Sequence, residues 1–139
     1  MVPGTYTVVM ESAGTTFEQP LEVREDARLN VGIGERRAWT RTLLRLGTLW
    51  EEADELLRDV VALDDVLGSS AAAATVTESA ELRRISTELR RRIQSTYGGV
   101  SGWVGGPTDD QQSQVRFFAE VVEEIRDRFA ALRRRQGAR

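Results

Sequence analysis

Between Glu35 and Leu67 there is no proline, and apolar residues recur at alternating steps of four and three: Trp39, Leu43, Leu46, Trp50, Ala53, Leu57, Val60 and then Leu67. Side chains three and four apart stack on one side of a helix, so this spacing predicts a single long helix with one apolar stripe. At about 1.5 Å per residue it makes a rod of about 50 Å. A stripe carrying two tryptophans has to be covered by other helices. Gly47 in its middle costs about 1 kcal/mol relative to alanine and marks either a close crossing or a tolerated weak point. Asp64 falls where the stripe calls for an apolar residue, and Leu63 takes over there.

Two later stretches supply the cover. From about Thr77 to Tyr97, Leu82, Ile85, Leu89 and Ile93 form a stripe, and Arg83, Arg84, Arg90, Arg91 and Arg92 occupy the other faces beside Glu81 and Glu88. From Thr108 to about Arg135, Val115, Phe118, Val122, Ile125, Phe129 and Leu132 repeat at threes and fours. Thr108 and Gln111 have the spacing of a capping box, and Asp109 and Asp110 sit where the helix dipole favours acids. Gly68 to Val76 reads as a loop, as does Gly98 to Pro107, with Trp103 expected to plug one end of the bundle.

Ahead of the helices, Thr5 to Glu11 alternates with Tyr6, Val8 and Met10 on one side. Phe17 to Arg24 alternates with Phe17, Leu21 and Val23 on one side. Ser12-Ala13-Gly14-Thr15 between them predicts a β-hairpin. Pro20 lacks an amide donor, which fits an edge strand or an unpaired position. A lone hairpin is marginal in water, so it leans on the helices or pairs with further strands. The expected fold is therefore mainly α, a three-helix antiparallel bundle with an N-terminal β-hairpin. It divides into a hairpin at 1–26, a connector at 27–34 and the bundle at 35–139.

Composition removes several chemistries. The 139 residues contain neither cysteine nor histidine, so thiolate chemistry and the commonest general base and metal ligand are missing. No cofactor and no metal site are expected. All 19 basic residues are arginine, and the net charge of −3 gives no overall field favouring nucleic acid. No apolar run approaches the roughly 20 residues of a membrane span. Met1-Val2-Pro3-Gly4 has neither the basic nor the apolar part of a signal peptide.

The phrase PGTYTVVMESAGTTFEQPLEVRED, followed by a long helix and then GGPTDDQQSQVRFFAEVVEEI, resembles the C-terminal end of bacterial sortilin-like β-propeller proteins with Asp-box (neuraminidase) repeats, often labelled glycosyl hydrolases. Pro3 to Val9, Phe17 to Val23 and Asp26-Ala27-Arg28 carry the likeness, with Ala27 where that family has proline. Pro107-Thr108 and Gln111 resemble its last helix start. The resemblance implies that the hairpin is the remnant of an Ig-like domain and that the chain is a terminal piece of a longer, often exported parent, in the periplasm or outside the cell. It places the blades and any catalytic carboxylates outside these residues, so no residue here inherits a catalytic role.

Three functions follow as expectations. The first is a non-catalytic structural or interaction module, its partners being the preceding domains of the parent and a second copy paired through the hairpin edge. The alternative is an anion-binding module for nucleic acid or an anionic glycan, using Arg83, Arg84, Arg90, Arg91 and Arg92. The third, a hydrolase working through Glu51 and Glu55 or Asp109 and Asp110, requires two carboxyl groups across a cleft. Neighbouring acids on one helix face do not provide that cleft.

Overall fold

The computed structural model describes residues 2–67 and 73–137. Two antiparallel strands, β1 (Gly4–Ser12) and β2 (Thr15–Val23), precede three helices, α1 (Ile33–Leu67), α2 (Ala73–Ser101) and α3 (Asp109–Gly137). The mainly α three-helix bundle with an N-terminal hairpin read from the sequence is the fold observed.

The hairpin closes through Ala13-Gly14, both at positive φ (48° and 76°), the turn whose twist matches paired strands. Glycine takes that conformation freely, whereas Ala13 occupies it at a steric cost. Ser12 faces Thr15, and the register continues through Met10–Phe17, Val8–Gln19 and Tyr6–Leu21 to Gly4–Val23. One face of the ribbon therefore carries Tyr6, Val8, Met10, Phe17 and Leu21.

Ion pairs give the helix directions. Asp64 meets Arg83 and Asp54 meets Arg90, so α1 and α2 are antiparallel. Glu78 meets Arg135 and Glu81 meets Arg128, so α2 and α3 are antiparallel too. The core runs along three seams. α1 contributes Leu46, Leu49, Ala53, Leu56, Val60, Leu63 and Leu67, at steps of three and four throughout. α2 contributes Ser79, Leu82, Ser86, Leu89, Ile93 and Val100, and α3 contributes Phe118, Val122, Ile125, Phe129 and Leu132. Buried residues at threes and fours form the continuous apolar stripes by which helices cover one another.

Several expectations need correction. The α1 seam uses Leu49 and Leu56, while Trp50 is exposed and Leu57 half-buried. Both spacings keep a stripe, but the one containing Leu63 in place of Asp64 has no charge within it. α2 is longer than expected at both ends. Ala73 and Ala74 extend its start, so only residues 68–72 of the loop read at 68–76 fall outside the described residues. Gly98 and Gly99 lie within its last turns, and the Gly102 N–H donates to the Gly98 carbonyl at 3.0 Å where the helix ends. Trp103 is 61% exposed and does not plug the bundle. Trp39 and Val100 close that end, the Trp39 indole N–H donating to the Val100 carbonyl at 2.8 Å. Finally, the hairpin does not lean on the helices: among the described residues neither strand packs against any of them.

The helix starts follow local chemistry. The Gly32 N–H donates to the Glu35 carboxylate at 2.9 Å, opening α1. At α3 the Gln111 N–H donates to Thr108 Oγ1 at 3.2 Å and the Thr108 N–H donates to Gln111 Oε1 at 2.9 Å, the reciprocal box read from the sequence. Arg36 joins connector to bundle. It grips the Glu25 carboxylate with two bonds of 2.7 and 2.9 Å and lies 5.1 Å from the Trp39 ring centre.

Candidate functional site

The five α2 arginines do not assemble into one cationic site. They occupy successive faces of the helix, and four of them already hold acids. Arg83 meets Asp64 at 3.3 Å and Arg90 meets Asp54 at 2.8 Å, both across the α1–α2 interface. Arg91 and Arg92 both grip Glu88, at 2.9 and 2.8 Å. Hydrogen bonds from Arg91 first, and Arg92 second, hold the Glu88 carboxyl at about 2, well below its ordinary 4.5. Arg83, Arg84 and Arg92 do line one shallow concavity with Thr87, but Glu88 lies in it as well. An incoming phosphate or carboxylate would have to displace that acid from its two partners.

The two acid pairs are placed as follows. Asp109 and Asp110 form the exposed first turn of α3. Glu51 and Glu55 are one turn apart on α1 yet line different grooves. Glu51 borders a notch with Gly47, Trp50, Gln94 and Tyr97 between α1 and α2. Glu55 borders the α1–α3 groove near Arg126 and Phe129. They do not face each other across a shared cleft. Among the described residues no group of three or more histidines, cysteines or acids is placed to hold a metal ion, and no helix is long and apolar enough to cross a membrane.

Two features escaped the sequence reading. One is the notch of about 290 Å³ between the half-exposed rings of Trp50 and Tyr97. Its signal was Gly47, where an added Cβ would meet nothing within 4 Å, so packing does not require the glycine. The other is the pair Ser79 and Ser86, buried in the α2 seam with hydroxyls that find no hydrogen-bond partner among the described residues.

A cluster of exposed apolar side chains shares one face of the hairpin. Val8, Met10 and Phe17 are each half-exposed or more, and Tyr6 and Leu21 are only slightly less so. The opposite face carries Thr5, Thr7, Val9, Glu11, Thr16, Glu18 and Glu22. The ribbon is thus amphipathic with neither face covered. Comparison with protein-family models, curated proteins and solved structures gave no match.

Proposed function

We propose that this chain is a non-enzymatic structural and interaction module, in which the bundle is the self-sufficient part and the hairpin is the docking part. The observation that carries this reading is the bare apolar face of the ribbon, Tyr6, Val8, Met10, Phe17 and Leu21, set beside a bundle whose three seams cover one another. A two-stranded ribbon alone is marginal in water, and a contiguous exposed apolar surface marks an interaction site. The resemblance to the C-terminal end of sortilin-like Asp-box propeller proteins supplies a natural cover. In that reading the preceding β-rich domain of the parent lies against this face, and the parent's chemistry resides in its blades. The anion-binding alternative is weakened by the pairing of Arg83, Arg90, Arg91 and Arg92 with acids.

Two measurements test the proposal. Hydrogen exchange of the strand amides should slow when the chain is joined to the last β-rich domain of a sortilin-like Asp-box propeller protein, and the double variant Val8→Thr, Phe17→Thr should abolish the slowing. The chain alone should not turn over glycosides. Robust turnover lost on Glu51→Gln or Asp109→Asn would overturn the reading.

A further inference from the structure

The two edges of the ribbon are not equivalent. A two-residue turn makes Ser12 and Thr15 a mutually hydrogen-bonded pair, and bonding then alternates along the ladder. Gly4, Tyr6, Val8, Met10 and Ser12 spend their backbone groups on β2. Thr5, Thr7, Val9 and Glu11 direct theirs outward. On β2 the outward set is Thr16, Glu18, Pro20 and Glu22. Pro20 costs the β1–β2 ladder nothing, because its partner Thr7 is an outward residue, but it deletes a donor in the middle of the β2 edge. Two glutamates flank that gap. The β2 edge is therefore blunted and the β1 edge is open. From Thr5 to Met10 the β1 edge holds six consecutive uncharged residues, without proline or glycine and rich in strand formers.

We infer that the β1 edge takes the β1 edge of a second copy of this chain, antiparallel about a twofold axis at Val8. This rests on the hairpin being the interaction element and adds an edge contact to the face contact proposed above. Val8 is the midpoint of Gly4–Ser12, so this axis alone overlays the whole strand on itself. Thr7 then faces Val9 of the copy and Thr5 faces Glu11, so every outward donor and acceptor of β1 is paired. Val8 meets Val8 and Tyr6 meets Met10 on the apolar side, with no like charges opposed. A slip of one residue would turn apolar side chains to the polar face. The product is a four-stranded sheet with one apolar face, beyond the three strands at which such a sheet becomes stable by itself.

The chain contains no cysteine, so single-cysteine variants report the register cleanly. Val8→Cys should cross-link into a disulfide dimer faster than Thr7→Cys or Val9→Cys, which mark registers shifted by two residues that keep the faces but leave strand ends unpaired, and faster than Thr16→Cys on the blunted edge. Light scattering of the wild-type chain should show the mass doubling as concentration rises. Val9→Pro, which removes only an outward donor, should return it to the single-chain mass with helical circular dichroism unchanged. A wild-type chain monomeric at all concentrations, a Val9→Pro variant that still dimerises, or cross-linking equal at all four positions would overturn the inference. A monomer that still protects its hairpin against the preceding domain would sink the dimer alone. Glycoside turnover by a dimer would sink the module reading alone.

Discussion

The indole N–H of Trp39 donates to the carbonyl of Val100 at 2.8 Å, tying the start of α1 to the last turn of α2. Val100 is buried, so its carbonyl has little water to fall back on. Trp39→Phe keeps the ring and removes the donor. It should destabilise the bundle by about 1 kcal/mol in chemical denaturation, since the carbonyl then keeps only the longer bond from the Trp103 N–H at 3.3 Å. An unchanged midpoint would mean that the ring alone closes this end.

Leu49 and Trp50 are neighbours in sequence with opposite fates. Leu49 is fully buried and Trp50 is exposed beside Arg90, whose guanidinium lies 6.0 Å from its ring centre. Leu49→Ala should cost about 2–5 kcal/mol as a core truncation. Trp50→Ala should cost about 1 kcal/mol or less, as expected for a surface position. A larger loss at Trp50 would restore the stripe read from spacing alone.

That contrast shows where the sequence was informative. The number, type and order of elements followed from periodicity, proline placement and the capping box, which are local. The α1 stripe was legible at Leu46, Ala53, Val60 and Leu67, positions shared by both possible seams. The choice between Leu49 and Trp50 depends on what the facing helices present, and hydrophobicity alone favours the larger residue. Ser79 and Ser86 were missed for a related reason, since small hydroxyls read as surface unless a partner backbone is known to come close. The arginines were legible as a cluster along the chain. Their neutralisation by Asp54 and Asp64 depends on the pairing of α1 with α2.

Ser86 is 1% exposed, and its hydroxyl finds no partner among the described residues. A buried hydroxyl without a hydrogen bond is a net penalty, and alanine is the better helix former. Ser86→Ala should therefore stabilise the bundle by about 1 kcal/mol. Ser86→Leu should destabilise it, because the seam has been filled around a small residue. A loss of stability in Ser86→Ala would reveal a bonded hydroxyl.

Glu88 gives the bundle an acid-sensitive element. Its carboxyl titrates at about 2 when Arg91 and then Arg92 grip it, against an ordinary 4.5. The native state thus binds its proton less readily than the unfolded chain does. Stability from this group is fully present above about 4.5 and is lost as the pH falls through about 2. The group is solvent-exposed and its arginines lie one turn away on the same helix, so the effect is modest and screened by salt. Thermal melts monitored by circular dichroism should fall more steeply for wild type than for Glu88→Gln across that window, and the difference should shrink at high ionic strength. Parallel acid limbs in the two proteins would show that the Glu88 bridges contribute nothing to folding.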